Sequence, residues 1–113
     1  MKSEGHRETG NQLEESAREL MAEPERHVKA IIELVFGAAH HYAAAGLEER
    51  YGEHPEKHQQ IPGFLRKKGE LEVSLAFESI DGLRAGRFYG RKGNGDIVKQ
   101  AQKNLEVIKR WLG

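Results

Sequence analysis

The chain has no cysteine among its 113 residues, only three prolines, and few aromatic side chains. The absence of cysteine excludes a disulfide scaffold, a thiolate metal site and a cysteine nucleophile. No segment shows the alternating apolar pattern of a half-buried strand. No apolar run is predicted to span a membrane, because Glu33 interrupts the best one, and the amino terminus lacks the pattern of a signal peptide. These absences favour a cytoplasmic helical protein.

The net charge is zero, yet the two halves of the chain carry opposite charge. Residues 1–60 hold 7 Lys/Arg and 12 Asp/Glu, a balance of −5, whereas residues 61–113 hold 11 and 6, a balance of +5. Two interpretations stay open. Packing of the halves against each other neutralises both, or the second half presents a basic surface to an anionic partner.

Apolar and small residues recur at steps of three and four, the period of one helix face, over most of the chain. We predict a flexible tail over residues 1–10 and a single helical domain over residues 11–113, with Asn11 capping the first helix. The fold class is therefore all-α, an antiparallel up-and-down bundle of four to five helices. The predicted core includes Val35, Ala39, Tyr42, Phe77, Ile80, Leu105 and Ile108.

The longest predicted helix runs from Pro24 to Tyr51 and stops at Gly52. Its centre is rich in alanine and glycine, and such faces make association with a second copy plausible. A short third helix is expected to open at Pro55 and to break or kink at Pro62.

Two more helices complete the bundle. The fourth is predicted over Glu70 to Tyr89, and the spacing of Gly82 and Gly86 suggests a close helix crossing or a ligand against the backbone. After a glycine-rich basic loop, Asp96 is expected to cap the last helix.

Histidines offer a first candidate for chemistry. His54 and His58 stand four residues apart, a spacing that can share a metal ion, but Pro55 lies between them. His40 and His41 are neighbours and point about 100° apart on a helix. The favoured interpretation is one histidine packed in the bundle and the others exposed, with no metal and no cofactor.

A basic segment at the end of the fourth helix offers the second candidate. Arginines there recur at helical spacing, and glycine-flanked cations beside the next helix are suited to a phosphate group. The candidate ligand-binding residues are Arg84, Arg87, Tyr89, Arg91 and Lys92. An ordinary helix-end salt bridge from Arg84 to Asp81 or Glu78 is the alternative.

Four segments in order carry a family resemblance: AAHHYAAAGLEERYG, EKHQQIPGFLRK, LRAGRFYG and AQKNLEVIKRWL. The chain resembles the HEPN superfamily of small helical bundles. It is most similar to the short prokaryotic branch often encoded beside minimal nucleotidyltransferases. The matching elements are the small-residue and tyrosine segment from Ala39 to Ala45, Lys57-His58, Arg84 to Tyr89, and Ala101 to Leu112.

The resemblance implies a homodimeric all-α bundle with a polar groove. Many members are ribonucleases of toxin–antitoxin and defence systems that use an arginine and a histidine separated by four to six intervening residues. Arg84 fits the first position, but Tyr89 stands where the histidine begins to be expected, and no histidine follows His58. We therefore expect no catalytic residues, and a domain that binds nucleotide, RNA or a nucleotidyltransferase partner.

Two alternatives remain open beside this reading. The first is a ribonuclease toxin with a variant site, using Arg84 with Tyr89 or a histidine from elsewhere in the dimer. The second is a structural helical module without a ligand.

Overall fold

The computed structural model describes residues 2–85 and 94–113. Within these ranges the elements are α1 (Ser3–Leu20), α2 (Val28–Tyr51), a 3-10 turn (His58–Gln60), α3 (Ile61–Lys67), α4 (Leu71–Arg84) and α5 (Asn94–Leu112). No strand occurs in either described range. The predicted all-α class is therefore confirmed for that part of the chain.

Helix α2 is the centre of the bundle. Its alanines from Ala38 to Ala45 are fully buried, because α1, α4 and α5 all pack against it. A helix that is apolar on most of its circumference is stable in water only when covered in this way. All seven predicted core residues, from Val35 to Ile108 along the chain, are buried. The alanine-rich face is thus used within the chain and is not a free surface for a second copy.

Helices α1 and α2 run in opposite directions, and so do α2 and α4. Along α1, His6 meets His41 and the later residue Leu13 lies against the earlier residue Gly37. Along α2 and α4, the ring of Phe36 lies under Arg84, near the end of α4. These pairings place the amino-terminal part of α1 over the carboxyl-terminal half of α2, and this arrangement positions the site described below.

Two glycines allow this close packing. A Cβ added at Gly10 would lie 2.6 Å from the ring of Tyr42, and one at Gly46 would overlap the indole of Trp111. Real Cβ atoms do not approach other atoms so closely, so any larger residue forces the helices apart. Gly46 therefore fixes how closely α5 approaches α2.

Helix α1 begins at Ser3, so residues 3–10 of the predicted flexible tail are helical and that prediction is wrong for them. The predicted cap, Asn11, lies inside the helix and does not begin it. The physical reason is long-range. His6 and Gly10 are buried against α2, and the Arg7 side chain bonds Glu49 at 2.6 and 2.8 Å. None of these contacts is visible as helical periodicity in a polar segment.

Helix α2 begins at Val28 rather than at Pro24, because residues 21–27 form turns. Its predicted end is confirmed: Gly52 has a φ of 77°, in the left-handed region, and its N–H donates to the Glu48 carbonyl at 2.9 Å. This is the backbone conformation that glycine adopts at low cost.

The short helix also begins later than predicted. Pro55 does not open it; α3 starts at Ile61, and Pro62 lies in its first turn. No intrahelical N–H bond is required there, so Pro62 starts the helix instead of breaking it. Helix α5 begins at Asn94, ahead of the predicted cap Asp96, which lies in its first turn.

Helix α2 is long and apolar enough, by length and composition alone, to cross a membrane, so the prediction that no segment qualifies is wrong. However, the apolar stretch of 18 residues that meets this criterion is 67% buried inside the bundle. Such burial is typical of the core helix of a soluble protein.

Candidate functional site

Arg84 lies in the last turn of α4, where a cation is favourable beside the helix carboxyl end. Its Nε and Nη2 lie 3.2 and 3.0 Å from Asp81 Oδ1. Its guanidinium carbon lies 4.3 Å from the centre of the Phe36 ring, within cation–π range. The helix-end ion pair considered from the sequence is therefore present, with Asp81, and the aromatic contact fixes the plane of the guanidinium.

The Phe36 ring connects Arg84 to a surface groove. His58 meets this ring edge-on with 5.4 Å between ring centres. The groove is lined by Phe36, Gly37, His40 and residues 56–59 and has a volume of about 450 Å³. That volume is typical of small-ligand sites. One cation, Lys57, and two imidazoles line it, and Glu56 contributes the opposite charge.

Of the predicted site residues, Arg84 is described and the rest of the set lies outside the described residues: Arg87, Tyr89, Arg91 and Lys92. The predicted glycine pair is divided in the same way, since Gly82 is buried on α4 and Gly86 falls in the range that is not described. The structure adds Phe36, which contacts Arg84, and His58, which contacts Phe36.

Five of the six histidines lie together where α1, α2 and the following connection meet. We call His6, His40, His41, His54 and His58 the histidine cluster. His6 and His41 face each other with 2.8 Å between their Nδ1 atoms, and the His54 ring stands edge-on to His6 at 4.8 Å between centres. His40 stacks edge-on with His41, at 5.1 Å, and lies 6.5 Å from His58.

The cluster holds its innermost members neutral. Burial lowers the pKa of His6 to about 4, with further lowering from His54 and His41, and Glu48 opposes this only weakly. Burial likewise lowers the pKa of His40 to about 4, with His41 and His6 adding to the effect. Two cluster nitrogens, His6 Nε2 and His40 Nδ1, are buried without a hydrogen-bond partner.

The expectation that one histidine is packed and the others exposed is wrong. His6 is buried and the other four are half-buried. Sequence reasoning missed His6 because it placed that residue in a tail. The adjacent pair His40-His41 was the available signal, since two imidazoles on a buried helix need polar neighbours.

Among the described residues, no three potential metal ligands are placed to hold one ion. The His6–His41 contact joins only two imidazoles, and the Nδ1 of His54 faces Glu48 Oε2 at 3.1 Å. The cluster is therefore a set of mutually stacked and hydrogen-bonded rings.

Comparison of the chain with known protein families, with curated proteins and with solved structures gives no match.

Proposed function

We propose that this chain is a non-catalytic, cytoplasmic HEPN-like domain that forms a homodimer and binds the phosphate groups of a nucleotide or RNA. Its setting would be a toxin–antitoxin or defence-type module, with a minimal nucleotidyltransferase as the candidate protein partner. The proposal rests on the resemblance of the four sequence segments, and on one structural observation: Arg84 lies on the ring of Phe36, and Phe36 also lines a groove together with Lys57, His40 and His58.

This arrangement suits an anion with an attached planar group. A phosphate near Arg84 would compete with Asp81 for the guanidinium, while Lys57 supplies a second cation on the groove wall. The half-buried ring of His58 on the groove wall offers a surface on which a base can stack. The basic excess of residues 61–113 adds to the attraction.

We expect Arg84→Ala to weaken binding of a labelled single-stranded RNA about tenfold at low salt, because an ionic hydrogen bond contributes that order of affinity. The slope of log affinity against log salt should fall by about one. Fluorescence anisotropy across a salt series measures both quantities, and circular dichroism checks that the variant stays folded.

Arg26→Ala is the matched control, because Arg26 also pairs with an acid three residues away, Glu23, but lies outside the groove. We expect it to bind RNA like the wild type. Equal losses in both variants would show non-specific charge attraction. No binding by the wild type at low salt would contradict the proposal.

A second candidate function is RNA cleavage with a variant site. The observation that favours it is that Arg84 and His58 contact the same ring: the guanidinium carbon is 4.3 Å and the His58 ring centre 5.4 Å from the centre of Phe36. The arginine and a histidine are thus close in space although no histidine follows Arg84 in sequence. Robust cleavage lost in both Arg84→Ala and His58→Ala would establish this alternative; we expect slow cleavage or none.

For the homodimer, we expect light scattering to give twice the 12.8 kDa chain mass. Helix α4 exposes Leu71 and Leu75, 59% and 66% accessible and one turn apart, as an apolar surface for a second copy. Leu75→Glu should shift the mass toward the monomer. A monomer mass for the wild type at high concentration would contradict the dimer.

A further inference from the structure

The histidine cluster joins the first turns of α1 to the rest of the bundle through His6, whose ring meets His41 and His54. His6 Nδ1 and His41 Nδ1 are 2.8 Å apart, so one nitrogen must donate a proton and the other must accept it. The pair tolerates one added proton, since an imidazolium still donates to a neutral ring. A second proton removes the last acceptor and places two positive charges face to face.

We propose that the histidine cluster is an acid-sensitive latch, in which protonation of both His6 and His41 releases residues 3–9 of α1 from α2.

The surrounding charges favour release once the cluster is protonated. From α2, His6 is faced by His41 and Glu48, and from the connection by His54. His40 is faced by His41, His6, His58 and His54. Among the described side chains, Glu48 is the one carboxylate that is hydrogen-bonded to a cluster imidazole, that of His54. One carboxylate cannot compensate several imidazolium charges.

The released segment has a defined limit. Beyond the cluster, α1 is held at Gly10, where Tyr42 packs directly on the backbone, and at Glu14, which bonds Tyr42 and Lys109. Next to His6, the segment is also held by the surface ion pair of Arg7 with Glu49 and by Arg7 bonds to the carbonyls of Leu112 and Gly113. The bidentate Arg7–Glu49 pair adds to the docking, but it stays ionised in mild acid because the bond from Arg7 lowers the pKa of Glu49. The acid response of residues 3–9 therefore lies in the cluster.

The sign of the pH dependence follows from the lowered pKa of His6, about 4 against 6.5 for a free imidazole. The released segment binds more protons than the docked one between these values. The contribution of His6 to docking is therefore fully present above pH 6.5 and is lost as the pH falls toward 4.

Hydrogen exchange on the full chain tests the latch. After correction for intrinsic exchange rates, we expect protection of the hydrogen-bonded amides of residues 6–9 to fall tenfold or more between pH 7 and pH 5, while α4 and α5 keep their protection. His41→Gln retains a hydrogen-bonding side chain without a titration in this range and should lose most of the acid response. His27→Gln, which changes the one histidine outside the cluster, should respond like the wild type.

Three outcomes would overturn the latch. The first is unchanged protection of the amides of residues 6–9 down to pH 4.5, and the second is a simultaneous loss in all helices, which means global unfolding. The third is an undiminished acid response in both His41→Gln and His6→Gln. Because the two variants are scored separately, a folding defect in one leaves the other as the test.

Discussion

Replacing Phe77 with alanine is expected to lower the free energy of unfolding by about 3–5 kcal/mol. Phe77 is 1% exposed in the centre of the core, and the centre of its ring lies 5.5 Å from the centre of the Phe36 ring. The substitution removes a large buried side chain and leaves a cavity that the packed helices can only partly fill. Urea denaturation followed by circular dichroism gives the change.

The substitution should also disturb the candidate site, because Phe36 packs against Phe77 and its ring contacts both Arg84 and His58. Phe77→Leu, which conserves most of the volume, should cost less than about 1.5 kcal/mol. Phe64→Ala applies the same deletion to a partly exposed ring and should cost clearly less than Phe77→Ala. Equal costs at the two positions would show that burial does not determine the effect.

Phe77 also illustrates what the sequence predicts well. Its place in the core follows from the apolar period of α4, since Val73, Phe77 and Ile80 recur on one face and all are buried. The same argument holds for α2 and α5. Apolar periodicity predicts a buried face because the hydrophobic effect is non-directional and requires only that the face be covered.

The polar contacts could not be predicted in this way, because they depend on which helices are neighbours and on how far one helix is shifted along the other. His6 and His41 are 35 residues apart in sequence and meet only because α1 runs antiparallel to α2 with Gly10 against Tyr42. The helical state of residues 3–10 has the same origin, since long-range contacts rather than local propensity stabilise it. For Arg84, the local alternative, a pair with Asp81, was predictable from spacing, whereas its contact with Phe36 on another helix was not.

Tyr42→Ala is the second substitution with a large expected effect, about 3–5 kcal/mol of unfolding free energy. Tyr42 is 2% exposed, and Gly10 of α1 packs directly on its ring. Its hydroxyl lies 2.7 Å from both Glu14 Oε1 and Asn11 Oδ1. Burial and the bond to Glu14 hold the pKa of Tyr42 far above its usual value, so the phenol stays protonated and continues to donate.

Tyr42→Phe separates the ring from the hydroxyl. We expect it to cost about 1–3 kcal/mol, because Glu14 loses a hydrogen bond while it remains half-buried. Burial disfavours the Glu14 carboxylate, but the bonds from Tyr42 and Lys109 outweigh this and lower its pKa. Tyr51→Phe is the matched control, since Tyr51 makes the same type of bond, to Glu70 at 2.9 Å, on the exposed surface and should change little.

A double-mutant cycle with Glu14→Ala shows which partner of the Tyr42 hydroxyl accounts for its contribution to the free energy of unfolding. If the Tyr42–Glu14 bond carries it, Tyr42→Phe should cost clearly less in the Glu14→Ala background than in the wild type. An unchanged cost would assign the contribution to Asn11 instead. If Tyr42→Ala costs no more than Tyr42→Phe, the ring does not join α1 to α2, and the limit placed at Gly10 on the acid-released segment is wrong as well.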